Sequence, residues 1–391
     1  MQSDTALPAP TVAERQLSDA LVALIREQIA AAGGRIPFSH YMELCLYAPG
    51  LGYYSAGQRK FGSGGDFVTA PEVSSLFGRC VAQGCAAVLK QTGGDVLEFG
   101  AGSGRLAIDM LAELAAMDCL PGRYFILERS AELRQRQRET LQAELPQLAN
   151  RVEWLEELPA QEFNGVVLAN EVLDAMACER WRWSGEHVER FFVADNGDEF
   201  VWEPQSCDEP GLAATVAGYA EEFDLAPGYT SELNPMLAPW LQSIAGCLGS
   251  GLVLLIDYGY PRREYLHPQR MDGTLQCHYR QRAHDDVFFM PGIQDITAHV
   301  DFTAVAEAAV DAGLDVAGYV TQAHFLIDSG LDKLLQAAGP SAGVDYLQLA
   351  QQAKTLVLPG EMGERFQCIG LTRALDIEIP GFRMHDMRGR L

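Results

Sequence analysis

The chain reads as an α/β protein on a doubly wound parallel sheet, and three observations predict it. Residues 96–99 form an apolar strand that turns through Gly100, Gly102 and Gly104 into a helix with Leu106, Met110 and Leu114 on one face. Glycine allows the sharp turn and the close approach of a ligand, and the helix points its first N–H groups at that ligand. The runs 124–127, 166–169 and 252–256 lack polar alternation, which suits central strands covered on both faces. These strands alternate with helical stretches, the βαβ order of a parallel sheet. A nucleotide-like ligand is therefore expected at the carboxyl end of the first strand.

The elements follow in order. Residues 1–16 read as a loose tail. Leu17, Leu21, Leu24 and Ile25 mark a helix that Gly33-Gly34 stops. Residues 35–66, rich in Gly, Tyr and Pro, read as ordered irregular structure, and a helix over about 72–90 leads into the first strand. Phe191-Phe192-Val193 and Phe200-Val201-Trp202 flank a turn at Asn196-Gly197 and read as a hairpin. An acidic helical piece runs on to about residue 224. The polar segment 259–300 reads as a long functional loop. A helix over 302–312, a strand near 316–320, further helices and a strand near 366–371 complete the pattern. The expected division is 1–90 as an extension closing over the ligand site, 91–190 as the first half of the core, 191–248 as an insertion, and 249–391 as the second half.

At 391 residues the chain exceeds one usual domain, and 48% hydrophobic residues allow a sizeable core. A net charge of −24 disfavours nucleic acid and anionic membrane and favours cationic partners, although solubility alone also accounts for it. Nine scattered cysteines without a C-x-x-C suggest neither a zinc knuckle nor a disulfide framework, and fit reduced thiols in the cytoplasm. Residues 1–12 carry neither a secretory signal nor the arginines of a transit peptide, and no apolar run approaches the ~18–20 residues of a membrane span.

Two phosphate-binding readings of the glycine turn fail. The third glycine of the dinucleotide fingerprint is replaced by Arg105, and no Gly-Lys-Ser/Thr is present for a Walker loop. What remains, Glu98-Phe99-Gly100-Ala101-Gly102-Ser103-Gly104 after a strand, resembles motif I of class I S-adenosylmethionine methyltransferases, whose cofactor has no phosphate. Geometry then suggests three more positions. Glu128, ending the second strand, can accept both ribose hydroxyls, or is a plain strand-end acid. Trp154 or Leu155, ending the third, can border the adenine, or is ordinary core. Asn170, Glu171 and Asp174 follow the apolar fourth strand, where they face the transferable methyl or cap a helix. A second glycine-rich turn over 61–72 ends in a helix start, with Thr69 as a cap and Pro71 in the first turn. The group His278, His284 and His299 lacks metal-ligand spacing and suits a lid or substrate loop better than a metal site. Arg129, Arg134, Arg136 and Arg138 read as a solvated helix face.

Taken together and in order, these blocks resemble the MidA-type family of methyltransferases. The likeness runs from Pro37-Phe38-Ser39-His40-Tyr41 through Gly65-Asp66-Phe67-Val68-Thr69-Ala70-Pro71-Glu72, the glycine turn, Asn170-Glu171-Val172-Leu173-Asp174-Ala175 and Ile256-Asp257-Tyr258-Gly259-Tyr260, to Pro291-Gly292-Ile293-Gln294-Asp295-Ile296-Thr297-Ala298-His299-Val300-Asp301-Phe302. Met176-Ala177-Cys178 departs from the Leu-Pro-Val common in the family. The resemblance implies a Rossmann-like class I fold with a seven-stranded, mostly parallel sheet whose last strand is antiparallel. It implies S-adenosylmethionine as donor and S-adenosylhomocysteine as product. It places Asp66, Thr69, Glu98, Gly100, Gly102, Glu128 and Trp154 around the cofactor, and Pro71, Ala101, Leu155 and Asn170 are expected beside them. A mitochondrial member assembles respiratory complex I and methylates a protein arginine. This sequence reads as a bacterial, cytoplasmic homologue acting on a protein that presents an arginine, with its oligomeric state open.

Methyl transfer is an in-line displacement that depends on alignment. A carboxylate can hold two guanidinium nitrogens and aim the third. Glu171 is the expected clamp, with Asp174 or Asp257 second, and the proton leaves through His284 or water. Two other readings are a cofactor-binding assembly chaperone that acts by docking and, from the dinucleotide likeness, a nicotinamide oxidoreductase.

Overall fold

The structure, a computed structural model, describes residues 7–56, 69–339 and 344–391. The described chain divides into two compact units.

The larger unit comprises residues 69–173, Leu237–Arg262 and Val300–Leu391. Its seven strands are β1 (Asp95–Phe99), β2 (Tyr124–Leu127), β3 (Val152–Leu155), β4 (Phe163–Asn170), β5 (Leu248–Tyr260), β6 (Asp315–Thr321) and β7 (Phe366–Arg373). They lie in the order β6-β7-β5-β4-β1-β2-β3, and β7 runs antiparallel to both neighbours while β1 to β5 are mutually parallel. This is the expected doubly wound sheet with an antiparallel last strand. A two-residue strand, Val300–Asp301, adds to the end of β5. Chain order reverses between β1 and β4, and their registered ends, Phe99 beside Ala169, set the glycine turn next to Asn170. Helix α1 (Ser75–Thr92) and helix α2 (Arg105–Ala116) pack on the sheet through Phe77, Val81, Val88, Met110 and Leu114, all buried. The expected single helix over 72–90 is two: Ala70–Val73 and α1, broken at Ser74. There the backbone is extended and the Ser74 hydroxyl accepts the Leu76 N–H.

The smaller unit comprises the described residues up to 56, Asp174–Met236 and Arg263–His299. Its antiparallel sheet places Arg35–Pro37, Val188–Asp195, Glu179–Trp183 and Thr230–Leu233 side by side, with Phe200–Ser206 completing the expected hairpin on Val188–Asp195. The strand Val188–Asp195 runs across the division drawn at 190 from sequence. The segment 259–300 is no long loop: Gln276–Tyr279 pairs with both Arg282–His284 and Asp295–Thr297 in a second small sheet. Nor is 12–16 a tail. Thr11 and Glu14 form a capping box that starts the Val12–Ala31 helix, a signal present in the sequence and missed.

Candidate active site

The site forms where β1, β2 and β4 end. Gly100, Gly102 and Gly104 take φ of +59°, +54° and +86°, the left-handed region that favours glycine. A Cβ on Gly100 would meet only ordinary contact with Val172, so backbone conformation rather than space demands the residue. The Gly100 N–H reaches the Leu127 carbonyl (3.1 Å) and the Gly104 N–H reaches Ala101 (2.7 Å), which folds the turn over the ends of β1 and β2. Ala101 is buried within it. The Ser103 hydroxyl donates to Glu72, tying the turn to the Ala70–Val73 helix. Thr69 stands at the N-cap of that helix with Pro71 inside its first turn, but the Thr69 side chain makes no capping bond, contrary to expectation. Asp66 lies outside the described residues.

Three acids end or line these strands, and each has a different setting. Glu98 is buried beneath the turn, accepts the Tyr124 hydroxyl (2.7 Å), and is pushed up to about 7 chiefly by desolvation. Glu128 is buried at the end of β2. Its Oε1 accepts the Ser130 N–H (2.9 Å) and its Oε2 the Gln137 amide (3.3 Å); burial again raises its pKa. Glu171 follows β4 half-exposed with φ +52°, and one of its oxygens accepts Asn170 Nδ2 (3.1 Å). The Glu171 N–H is fixed on the Ile256 carbonyl (2.9 Å).

Asp257 is fully buried, which corrects its expected place as a second clamp. Its Oδ2 accepts the N–H groups of Val172 (3.2 Å) and Leu173 (2.9 Å), and its Oδ1 accepts that of Tyr258 (2.9 Å). It holds the Glu171 loop instead of reaching for a ligand. Asp174 and His284 belong to the smaller unit. There Asp174 is buried, its carbonyl accepts the Ala298 N–H (3.0 Å), and its charge helps raise the pKa of Tyr54. His284 Nδ1 accepts the Asp286 N–H (3.3 Å), and burial lowers its pKa. Among the described residues, no group of three or more His, Cys, Asp or Glu could hold a metal ion.

The arginines of helix α3 (Ala131–Glu144) are not the plain solvated face expected. Arg134 bonds the Glu128 carbonyl (2.9 Å) and Glu156 (2.8 Å), and Arg138 lies 4.7 Å over the Trp154 ring. Sequence reasoning also passed over Gln137, buried on α3 between Leu133 and Leu141. A glutamine at the core position of such a helix was the signal. Trp154 is half-buried and donates through Nε1 to Gln137 (2.8 Å); the Leu155 carbonyl accepts the Glu128 N–H (3.3 Å).

The arrangement fits an adenosyl ligand on its own chemistry. The glycine turn offers a backbone without side chains. Glu128 ends β2, where a diol would sit. Asn170 Oδ1 is buried with no hydrogen-bond partner among the described residues, a costly state for a polar atom that a ligand can relieve. A sequence profile of the family described as putative S-adenosyl-L-methionine-dependent methyltransferase matches residues 78–320.

The chain belongs to this methyltransferase family.

Relatives agree with that placement. A crystallised Burkholderia thailandensis protein bound to S-adenosyl-homocysteine is 43% identical, with a TM-score of 0.94 over 99% of this chain and 100% of that one. A native crystal structure from the same organism gives 0.92 over the same shares. Protein arginine methyltransferase NDUFAF7, mitochondrial, of Danio rerio is 28% identical over 86% of this chain and 83% of its own. Its Caenorhabditis elegans homologue is 26% identical over 93% and 89%. The cofactor is thus S-adenosylmethionine, as the family description and the ligand-bound relative have it, and not a nicotinamide. Among the described residues, no helix is long and apolar enough to cross a membrane.

Proposed function

We propose that this methyltransferase modifies an arginine side chain of a protein substrate. The relatives named as protein arginine methyltransferases support it at 26–28% identity over 86–93% of this chain. The carrying observation is Glu171, held at φ +52° at the end of β4 beside Asn170. A non-glycine residue persists there only when its surroundings enforce it, and such strain gathers at working sites.

When bound, S-adenosylmethionine supplies an electrophilic methyl on a sulphonium. The glycine turn and Glu128 hold the adenosyl part in this reading, and Asn170 Oδ1 takes a ligand N–H. Guanidinium is a poor nucleophile because its charge is delocalised and its pKa exceeds ~12. Glu171 accepts two of its N–H groups and directs the remaining nitrogen along the sulphur–carbon axis. The new nitrogen–carbon bond forms as the sulphur–carbon bond breaks, the bonding pair returns to sulphur, and the extra proton on nitrogen leaves to water.

Labelled S-adenosylmethionine incubated with the protein and cell extract should give a labelled band that yields methylarginine on hydrolysis. Glu171→Gln should lower that labelling about a hundredfold or more, with calorimetric affinity for S-adenosylhomocysteine within about twofold. Label in another residue type overturns the arginine assignment. Normal turnover by the variant overturns the role of Glu171, and tight cofactor binding with no labelled product favours the docking chaperone.

A further inference from the structure

We infer that Gln137 is the positioning residue through which the glycine turn, Glu128 and Trp154 act as one cofactor-reading unit. The inference rests on the reading of Glu128 as the ribose acid. Gln137 is 1% exposed, and both polar atoms of its amide are hydrogen-bonded. Nε2 donates to the Gly102 carbonyl (3.0 Å) and to Glu128 Oε2 (3.3 Å), and Oε1 accepts the Trp154 indole N–H (2.8 Å).

These partners leave the amide one orientation. An indole N–H only donates, so it must face Oε1. A carbonyl and an ionised carboxylate only accept, so they must face Nε2. A Cβ added at Gly104, which sits at φ +86°, would meet the Gln137 backbone and side chain at 3.5–3.6 Å, so the turn and the helix lie close together there. Leu133 and Leu141 bury the neighbouring turns of α3, so the amide cannot swing to solvent. One side chain therefore ties together the segments at the ends of β1, β2 and β3. Its effect on the ligand passes through Glu128: the amide aims Oε2, while the Ser130 N–H holds Oε1. Without the amide, Glu128 keeps its charge but loses its direction.

A merely structural glutamine would weaken all ligands alike, whereas a positioning one controls discrimination at the ribose. The test compares S-adenosylhomocysteine with its 2′-deoxyribose analogue by calorimetry at pH 8. The wild type should bind the analogue about tenfold or more weakly, the loss expected for one hydrogen bond to a carboxylate. Gln137→Met, which fills the volume without hydrogen bonds, should shrink that ratio to about twofold or less while keeping a cooperative unfolding transition. Gln137→Glu keeps the shape and places a second carboxylate against Glu128, and should shrink it too; it carries the test if the methionine variant does not fold. Variants that weaken both ligands equally and keep the wild-type ratio overturn the role of Gln137. A wild type that does not distinguish the two ligands overturns the Glu128 reading, and the inference with it.

Discussion

The strands β2 and β4 both end in an acid, and the two ends are built in opposite ways. At β2 the protein fixes the carboxylate itself, with Ser130 and Gln137 on its two oxygens. At β4 it fixes the backbone. Glu171 N–H is pinned on Ile256, the next two N–H groups are pinned on Asp257, and the half-exposed carboxylate meets the Asn170 amide. A carboxylate immobilised in advance suits a ligand of constant shape. A half-exposed carboxylate carried on a rigid backbone suits a group that must be gripped and released each turnover. The contrast is of the kind expected if β2 serves the cofactor and β4 the acceptor.

The strongest way to break that contrast is Asp257→Asn. Asparagine offers one acceptor and one NH₂ where Asp257 meets three N–H donors, so a donor is left facing a donor. Leaving a buried N–H group unsatisfied costs about 1–3 kcal/mol. The variant should show a lower denaturant midpoint and slower transfer, with S-adenosylhomocysteine affinity nearly unchanged because β2 is untouched. An unchanged midpoint and rate would mean that the loop after β4 holds itself.

Glu98, on the strand between these two ends, is buried and, among the described residues, is met by no backbone N–H group. It accepts the Tyr124 hydroxyl, and burial lifts it to about 7. Between about pH 4.5 and 7 the folded chain keeps a proton that the unfolded chain has released, so this group makes stability fall as pH rises through that window. Glu98→Gln removes the term. The stability of the variant relative to wild type should rise by on the order of 2 kcal/mol from pH 4.5 to pH 8, read from denaturation at each pH. A flat difference would show that Glu98 keeps an ordinary carboxylate pKa.

The core of this fold was legible because its strands are unbroken apolar runs. The 124–127 strand was placed to the residue, and the 96–99 and 366–371 strands needed only short extensions. The glycine turn and Glu128 were legible for the same reason, since strand ends and positive-φ glycines leave local marks. What stayed hidden depends on contacts through space. Glu171 and Asp257 are both acids after apolar runs, and only the three N–H groups meeting Asp257 tell the presented acid from the consumed one. Gln137 looked like one more polar residue in an arginine-rich helix because its partners lie on three other segments. Glu179–Trp183 and Thr230–Leu233 were missed as strands because their pairing spans a separation that no local pattern records.

The finest test of the contrast concerns the strain at Glu171 alone. In ordinary backbone, glycine is less stable than alanine by about 0.5–1 kcal/mol, because the unfolded glycine chain has more freedom to lose. At φ +52° an alanine also meets the left-handed penalty of about 1–2 kcal/mol, which glycine escapes. The second effect exceeds the first, so the usual order should reverse: Glu171→Gly should be more stable than Glu171→Ala by about 0.5–1 kcal/mol. Both variants lose the same carboxylate and the same bond to Asn170, so the difference isolates the backbone. In a chain of this size the shift in midpoint is small, about 1 °C, and its sign is the result that matters. Alanine above glycine would show that nothing forces residue 171 into this conformation, and the acid after β4 would then be held no more firmly than a surface glutamate.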